Sequence, residues 1–340
     1  MKRIIISRTD NLGDVILTLP MAGILKQYFP DSRIIFLGKK YTKPIIDACV
    51  HVDEFLDWEA LKQMPDAGSR MEVLERLKPD CILHVFPVKD IEKLAKKVEI
   101  PLRIGTSHRV YSWLYCNKLV HYSRKHSNLH EAQLNLKLLK PLNITREFPV
   151  SEIAGLYGLT KIPPAPPILP SDPGRIDLIL HPKSMGSARE WGMDNFSRLI
   201  DLLPEDKYRI SVTGTREEGE MMKDFLFQHK NRIHDLTGKL SLAEFLSFIN
   251  NCDAIVAAST GPLHIAAALG KRAIGIYAPM RPIFPSRWAP LGTNATYVVL
   301  DKKCNDCRRT KNCECIWAIT PEEVAGKLVN WRKSEIVKSE

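Results

Sequence analysis

Two aspartates follow the first apolar run of the chain, and one of them could act as a general base. The run at residues 3–7 leads into a polar turn that contains Asp10, Asn11 and Gly13 and ends at Asp14. A carboxylate held in such a turn can take the proton from a hydroxyl nucleophile. The alternative is a structural role, in which Asp10 or Asp14 caps the helix that begins here.

A phosphate-binding loop is predicted at Ser259, Thr260 and Gly261, directly after another apolar run. Pro262 suits the first position of a helix. Free backbone N–H groups at a helix start, together with the Thr260 hydroxyl, can bind a diphosphate. His264 falls on the first turn of this helix. The alternative is an ordinary capped helix with His264 packed into its wall.

A third loop, at residues 181–192, also follows an apolar run and contains Lys183, Ser184 and Arg189. Two cations and two hydroxyls in such a loop could stabilise the negative charge that develops on a pyrophosphate leaving group. A solvated basic loop without a ligand would have the same composition.

Short strands that alternate with helices position these loops. Strands are predicted to start at residues 3, 33, 81, 102, 175, 208, 253 and 272. Helices are predicted over residues 14–29, 58–78, 89–98, 129–139, 194–203, 217–227, 242–250 and 262–269. Alternation of this kind indicates parallel sheets, in which ligands bind beyond the carboxyl ends of the strands.

A proline-rich segment divides the two halves. Residues 162–173 read IPPAPPILPSDP and contain six prolines, which favour an extended connection over a helix or a central strand. A chain of 340 residues is also long for one compact core. The sequence predicts an N-terminal Rossmann-like domain over residues 1–162 and a C-terminal one over residues 174–320.

The charge balance is basic, with 49 Lys and Arg against 39 Asp and Glu and a formal net charge of +10. This charge suits phosphates, nucleic acid or an anionic membrane surface. The N-terminus lacks the apolar core of a signal peptide, and no stretch approaches the roughly eighteen apolar residues of a membrane span. We therefore expect a cytoplasmic location.

Taken together and in this order, the three loops resemble glycosyltransferase family 9, the ADP-heptose:lipopolysaccharide heptosyltransferase family. The most specific segments are DNLGDVILTLP at residues 10–20, HPKS and the aromatic residues after it at 181–196, and STGPLHIAAALG at 259–270. The resemblance covers nearly the whole chain. Three such segments at the family's separations make a chance match improbable.

The resemblance implies a GT-B fold, in which two Rossmann-like domains face a central cleft. The first domain would bind the acceptor and the second the nucleotide-sugar, and a C-terminal helix within residues 321–340 would pack back on the N-terminal domain. It also implies transfer with inversion, without a divalent ion. The implied donor is ADP-heptose, and the implied acceptor is a lipopolysaccharide core or a related surface glycan. The resemblance further implies that the protein makes peripheral contact with the cytoplasmic face of the inner membrane.

The resemblance assigns roles to individual residues. Asp14 matches the general base of the family, beside an acceptor-side loop of Asp10, Asn11 and Gly13. The residues that would bind the donor phosphates are Lys183, Ser184, Arg189, Ser259, Thr260, Gly261 and His264. The segment that would border the nucleotide base is Leu236, Thr237 and Gly238.

Two of these positions depart from the family's pattern. Arg189 stands where the family commonly has a lysine. The arginine keeps the positive charge but replaces a compact ammonium group with a planar guanidinium that donates several hydrogen bonds. Ser259 stands where characterised heptosyltransferases commonly have an aspartate. A missing carboxylate beside the donor could change which sugar is accepted.

Four cysteines near the C-terminus form a C-x2-C pair followed by a C-x-C pair. Cys304, Cys307, Cys313 and Cys315 supply enough thiolates for one tetrahedral structural zinc. Family 9 sequences often carry a cysteine-containing segment here, so the alternative is a loop with thiols and no metal. Neither reading makes the cluster catalytic, and no cofactor is expected for transfer.

Three rival functions remain. A dinucleotide-dependent dehydrogenase would carry G-x-G-x-x-G after the first strand, which this chain lacks. A nucleic-acid-binding module would gather its basic residues beside aromatic ones, whereas here they are dispersed, so no nucleic acid partner is expected. The third rival binds nucleotide-sugars without transferring them, or transfers a different sugar. The presence of Asp14 argues against the non-catalytic form.

Overall fold

The computed structural model describes residues 2–124, 127–164, 168–170, 172–281, 283–302, 304 and 313–336, with the side chains of the last helix described as far as residue 329. The chain forms two compact units, Met1–Lys161 and Ile162–Glu340. The division falls at the first residue of the proline-rich segment.

The N-terminal unit is a six-stranded parallel sheet with helices between its strands. Its strands are β1 Arg3–Ser7, β2 Arg33–Gly38, β3 Glu54–Asp57, β4 Cys81–His84, β5 Leu102–Thr106 and β6 Lys118–Val120. Its helices are α1 Leu12–Ile16, α2 Leu19–Tyr28, α3 Lys43–Asp47, α4 Trp58–Gln63, α5 Ala67–Leu77, α6 Lys89–Lys97, α7 Val110–Tyr115, α8 Glu131–Leu136 and α9 Val150–Ile153. Two 3-10 turns lie at Lys40–Thr42 and Lys137–Leu142.

The strand order of this sheet is β3-β2-β1-β4-β5-β6, which is the Rossmann order. Ile4, Ile5 and Ile6 of β1 are fully buried, as expected for a parallel sheet that is covered on both faces. β1 pairs with β2 on one side and with β4 on the other. The strand order therefore reverses between β1 and β4, and ligands bind Rossmann folds at such a reversal.

Two helices that the sequence pattern joined in the N-terminal unit are each divided in the structure. The predicted helix at residues 14–29 is α1 and α2, and Pro20 lies in the first turn of α2. The predicted helix at residues 58–78 is α4 and α5, with Pro65 between them and Asp66 as the N-cap residue of α5. A proline favours the start of a helix over its interior, which explains both divisions.

The C-terminal unit repeats the architecture of the first. Its strands are β7 Ile176–His181, β8 Tyr208–Val212, β9 Ile233–Asp235, β10 Ala254–Ala258, β11 Arg272–Tyr277 and β12 Ala295–Val299. Its helices are α10 Met193–Leu202, α11 Arg216–Met221, α12 Lys223–Gln228, α13 Leu242–Asn251, α14 Gly261–Ala268, α15 Pro285–Trp288, α16 Glu314–Trp317 and α17 Pro321–Ile336. The strand order, β12-β11-β10-β7-β8-β9, reverses between β7 and β10. The predicted helix at residues 217–227 is divided at Met222 into α11 and α12.

The last helix, α17, packs on the C-terminal unit. Val324 and Leu328 are buried in the core of that unit. Arg272 Nη2 at the start of β11 donates a hydrogen bond to the Lys327 carbonyl at 2.8 Å. The expected packing of this helix on the N-terminal domain stays a prediction. In the described ranges, no helix combines the length and the apolar character needed to cross a bilayer.

Candidate active site

Asp14 lies in the first turn of α1, just beyond the carboxyl end of β1. The N-cap residue of α1 is Asn11, and it makes no side-chain cap hydrogen bond. The Asp14 carboxylate instead accepts a hydrogen bond from Arg8. Neither Asp10 nor Asp14 is therefore the N-cap residue, although Asp14 lies in the first turn, where the helix dipole favours a negative charge.

Arg8 is a buried arginine that faces three carboxylates. Its side chain is 3% exposed, and its Nε donates to Asp10 Oδ1 at 2.6 Å. Its Nη2 donates to Asp14, and its Nη1 lies 3.8 Å from Glu131 Oε1. The same Nη1 donates to Asn135 Oδ1 at 3.3 Å. Arg8 and Arg124, which also pairs with Glu131, supply two positive charges against three carboxylates, so negative charge remains around Asp14.

Helix α8 completes this cluster from a distant part of the chain. Arg124 Nε donates to Glu131 Oε1 at 2.9 Å, and Arg124 Nη2 donates to Asn135 Oδ1 at 3.2 Å. Asn135 Nδ2 in turn donates to the Leu17 carbonyl at 3.2 Å and to Thr18 Oγ1 at 3.3 Å. These bonds fasten α8 to the end of α1 and thereby fix the position of the carboxylates.

The environment of Asp14 makes it a stronger base than an exposed aspartate. The pKa of this carboxyl group is raised to about 6, chiefly because burial disfavours the charged form. The charges of Asp10 and Glu131 contribute to this rise, whereas Arg8 acts in the opposite direction. A carboxylate of this kind is still mostly ionised at neutral pH and can accept a proton from a hydroxyl group.

The predicted donor-site residues follow three strands of the C-terminal sheet. Strands β10 and β7 are direct neighbours, with Ala257 opposite His181 near their carboxyl ends. The loops that begin at residues 182 and 259 therefore lie side by side, at the reversal of the strand order. The segment Leu236, Thr237 and Gly238 follows β9, at the edge of the same sheet.

Thr260 is the N-cap residue of α14, which begins at Gly261 and has Pro262 in its first turn. The Thr260 hydroxyl makes no cap hydrogen bond, and within the described part of the chain this buried group has no other hydrogen-bond partner. An unsatisfied buried hydroxyl is destabilising, so a ligand that bonds to it would recover this free energy. His264 is buried on the same turn, 2% exposed. The Ser259 side chain hydrogen-bonds with the Tyr277 hydroxyl.

The loop after β7 contains a carboxylate that the sequence analysis did not consider. Lys183 Nζ donates to Glu190 Oε2 at 3.0 Å. The backbone N–H and the hydroxyl of Ser184 both donate to Glu190 Oε1 at 3.1 Å. Arg189 is half-buried in the same loop. The loop is thus internally bonded, with Ser184 buried, and differs from the solvated basic loop that was the alternative.

The segment that would border the nucleotide base is a fixed turn. The Thr237 N–H and hydroxyl donate to Asp235 Oδ1 at 2.9 and 2.7 Å. Gly238 has a φ of +65°, which favours glycine, and its N–H donates to the Gly214 carbonyl at 2.9 Å. Helix α11 approaches so closely that a Cβ on Gly219 would lie 2.5 Å from Thr237 Oγ1. The turn is therefore held between β8 and α11.

The cysteine cluster is only partly described. Cys304, Cys313 and Cys315 are buried in the core of the C-terminal unit, where the Cys304 and Cys315 side chains hydrogen-bond. Cys307 lies outside the described residues. Among the residues that the structure describes, these three cysteines included, no group of three or more His, Cys, Asp or Glu side chains is placed to hold a metal ion. The zinc site stays a prediction.

The family is decided by a match to the model of glycosyltransferase family 9 (heptosyltransferase) over residues 94–317, which is more than half of the chain. The chain belongs to glycosyltransferase family 9. It is accordingly a glycosyltransferase, as the three loops predicted.

Relatives of this family 9 enzyme match it over most of its length. Lipopolysaccharide heptosyltransferase 3 of Escherichia coli K12 is 21% identical over 294 residues, which cover 81% of this chain and 82% of the relative. The structure of E. coli ADP-heptose lps heptosyltransferase II matches with a TM-score of 0.74 at 18% identity, over 98% of this chain and 99% of that one. E. coli heptosyltransferase WaaC with ADP matches with a TM-score of 0.73 at 19% identity, over 97% and 99%. The predicted GT-B fold class of two Rossmann-like α/β domains is confirmed.

Several residues around the predicted site of this family 9 enzyme were missed by the sequence analysis: Arg8, Arg124, Glu131, Asn135 and Glu190. Arg8 stands two residues from Asp10 at the end of a strand, and a cation at that point is a usable signal. The partners on and before α8 carry no such signal, because their spacing from Asp14 reflects only the tertiary fold.

Proposed function

We propose that this enzyme transfers heptose from ADP-heptose to a lipopolysaccharide core or a related surface glycan, with inversion and with Asp14 as the general base. The main observation in support is the Asp14 carboxylate, which lies half-buried beyond β1 at the strand-order reversal and has a pKa raised to about 6. The names of the relatives support the substrates, since they include an ADP-heptose lps heptosyltransferase and a lipopolysaccharide heptosyltransferase.

In the proposed step, the acceptor hydroxyl oxygen attacks the anomeric carbon of the donor sugar while its proton passes to the Asp14 carboxylate. The bond from the anomeric carbon to the β-phosphate oxygen breaks, and its electron pair leaves with ADP. One displacement of this kind inverts the anomeric centre. Arg8 stays protonated and holds the carboxylate in place.

The donor diphosphate would be bound at the N-terminus of α14 and by the loop after β7. The α14 backbone N–H groups and the Thr260 hydroxyl offer hydrogen bonds, and the helix dipole favours an anion at this end. Lys183 and Arg189 supply positive charge for the leaving group. These groups do the work of a divalent ion in this proposal, so a chelator is expected to leave the transfer rate unchanged.

The decisive experiment compares Asp14→Asn with the native enzyme. We expect kcat to fall by about 10²–10⁴-fold, because the hydroxyl loses its proton acceptor, while the affinity for ADP stays within a few-fold. Asp10→Asn is the matched control, since Asp10 also pairs with Arg8 but is not the proposed base. Equal loss of activity in both variants, or loss of ADP binding in Asp14→Asn, would show a structural role.

The donor sugar is a separate question, because Ser259 replaces the aspartate common in characterised heptosyltransferases. The second candidate is therefore a GT-B transferase that uses another nucleotide-sugar, or a protein that binds such a donor without transfer. Turnover of a panel of ADP-, UDP- and GDP-sugars separates them. Activity only with a donor other than ADP-heptose would support sugar transfer and exclude heptose as the transferred sugar.

The cellular role is tested by disruption of the gene, after which we expect a truncated surface glycan. An unchanged glycan would count against the proposed acceptor. The structural zinc proposed at Cys304, Cys307, Cys313 and Cys315 is tested by metal analysis of the purified protein. We expect removal of such a metal to lower the melting temperature and not to act on the chemical step.

A further inference from the structure

Helix α7 presents apolar side chains to the solvent. Val110 is 83% exposed, Trp113 is 65% exposed and Leu114 is 61% exposed. These positions are i, i+3 and i+4, so the three side chains share one face of the helix. Scattered exposed apolar residues are ordinary, but a cluster on one helix face marks an interaction surface.

The outward direction of this face is fixed by three hydrogen bonds, two on the opposite side of the helix and one from Trp113 itself. Ser112 is buried, and its hydroxyl donates to Glu92 Oε1 on α6 at 3.0 Å. The Tyr111 hydroxyl donates to the Pro87 carbonyl at 3.0 Å. Trp113 Nε1 donates to the Ser107 carbonyl at 3.0 Å, which holds the indole at the surface. Rotation of α7 to bury its apolar face would break all three bonds.

Basic residues lie beside this apolar face. The exposed side of α6 carries Lys89, Lys93, Lys96 and Lys97, against one exposed acidic residue of that helix, Asp90. Lys96 Nζ donates to the Leu114 carbonyl at 2.8 Å, so α6 and α7 form one continuous surface. Arg109, also exposed, directly precedes α7. We call Val110, Trp113 and Leu114, together with Arg109, Lys93, Lys96 and Lys97, the α7 surface.

We infer that the α7 surface docks on the anionic face of a lipid bilayer. Tryptophan and leucine insert at the boundary between headgroups and acyl chains, while lysine and arginine at the rim pair with the negative headgroups. A bilayer satisfies both parts of the surface at once. Neutral lipid would leave the basic residues without partners, so the pairing of charge and apolar area selects an anionic membrane.

The α7 surface is linked through a short series of contacts to Arg8, which holds the proposed base Asp14. The Tyr111 hydroxyl ties α7 to Pro87, and the neighbouring Phe86 is 39% exposed. The Arg8 guanidinium, which holds Asp14, lies 6.0 Å from the centre of the Phe86 ring. Docking would therefore bring the proposed base close to the membrane, where a lipid-linked acceptor is presented. This role of the docking rests on the proposed function, whereas the docking itself does not.

The test measures binding of the full-length protein to vesicles by co-sedimentation, without donor or acceptor. Vesicles of phosphatidylglycerol and phosphatidylethanolamine are compared with vesicles of phosphatidylcholine. We expect binding to the anionic vesicles and a loss of about tenfold or more in affinity for Trp113→Ser combined with Leu114→Ser. Lys93→Gln combined with Lys97→Gln should reduce both the affinity and its dependence on salt.

Phe227→Ser combined with Met221→Ser is the matched control. Phe227 and Met221 are also strongly exposed, at 71% and 67%, but they belong to α12 and α11 of the C-terminal unit. Native-like vesicle binding by this control, together with unchanged melting temperatures for all variants, would support docking through α7.

Three outcomes would overturn the inference. The first is equal binding to anionic and neutral vesicles, and the second is native-like binding by the Trp113 and Leu114 variant. The third is a dimer in solution that this variant dissociates, since a second copy of the chain would then be the partner of α7. Because no sugar transfer is measured, failure of the proposed reaction would not change the vesicle results. A failure to bind vesicles would likewise not contradict the proposed reaction.

Discussion

The chemistry proposed for Asp14 depends on an uneven balance of charge around Arg8. A single guanidinium paired with a single carboxylate would lower the carboxylate pKa and weaken the base. Here the same guanidinium also pairs with Asp10 and faces Glu131. Burial is the largest cause, and together with these extra negative charges it outweighs the attraction to Arg8, so the pKa of Asp14 rises to about 6.

The pH dependence of transfer follows from this raised pKa. A general base must be ionised to act, so kcat/KM should fall about tenfold for each pH unit below pH 6 and level off above it. The measurement is kcat/KM between pH 4.5 and 8, with the melting temperature followed at each pH as a control. An acidic limb near pH 4, where an ordinary aspartate titrates, would contradict the assigned environment.

Glu131→Gln should move the acidic limb of this profile to lower pH. Its charge raises the pKa of Asp14, and without it Arg8 pairs more fully with the remaining carboxylates. Activity at neutral pH should stay within a few-fold, because the base is already ionised there. Asp10→Asn removes another charge that raises this pKa and should shift the limb in the same direction. A limb that stays in place in both variants would refute the electrostatic account.

Among the secondary-structure elements, the interior strands were predictable and the edge strands were not. Runs such as RIIIS and RIIFLG are apolar throughout because both faces of an interior parallel strand are covered. All eight interior strands were predicted from their sequences. The four edge strands of the two sheets, β3, β6, β9 and β12, were not. Their sequences, such as EFLD and IHD, mix polar with apolar residues because one side of an edge is open to the solvent.

The same distinction applies to the site. Loops directly after interior strands could be identified from the sequence, since ligands bind at that end of a parallel sheet. The partners that tune Asp14 could not, because Arg124 and Glu131 reach it from more than a hundred residues along the chain. Glu190 was within reach of sequence reasoning, yet nothing in the spacing shows that it bonds to Lys183 and Ser184.

The packing of α6 against α7 places a carboxyl group between the two helices. Burial raises the pKa of Glu92 to about 7, partly offset by hydrogen bonds from Ser112 and Cys116. The folded state therefore binds this proton more tightly than the unfolded state, in which the pKa is near 4.5. The resulting stability is fully present below pH 4.5 and is lost as the pH rises through 7.

Glu92→Gln should remove this pH dependence. The amide oxygen can still accept the Ser112 hydrogen bond and cannot ionise, so the variant should gain about 1–3 kcal/mol in free energy of unfolding relative to the native protein between pH 5 and pH 9. Urea unfolding at several pH values measures the difference. Glu75→Gln, on the exposed side of α5, controls for the loss of a carboxylate. Parallel curves for Glu92→Gln and the native protein would exclude a buried ionisable group.

Considered as a whole, the chain uses one strand order twice, with a different set of charged residues at each reversal. Both sheets reverse their order beside the first strand of the domain, at β1 and β4 and at β7 and β10. In the N-terminal domain this point holds a carboxylate cluster, which suits a base and repels phosphate. In the C-terminal domain it holds Lys183 and Arg189 against the one carboxylate of Glu190, together with the N-terminus of α14, which suit a diphosphate. This difference in charge favours the C-terminal domain as the donor site.

Nucleotide binding tests this division of labour by thermal unfolding with ADP, UDP, GDP and CMP. A ligand that binds only the folded state stabilises it by about 2.7 kcal/mol at a hundred times its Kd, which corresponds to a rise in melting temperature of several degrees. We expect the largest rise with ADP and a much smaller one in Arg189→Ala and Thr260→Ala. Arg198→Ala is the matched control, since Arg198 is an exposed arginine of the same domain that pairs with Glu322.

Thr260→Ala is the most informative of these variants. The hydroxyl makes no cap hydrogen bond and is buried without a partner in the described chain, so its removal should leave the unliganded protein as stable as before or slightly more stable. A loss of the ADP response without a loss of basal stability would place the phosphate at α14. A larger rise with UDP or GDP would support nucleotide binding at this site and exclude ADP-heptose as the donor. No response to any nucleotide would exclude the donor site itself.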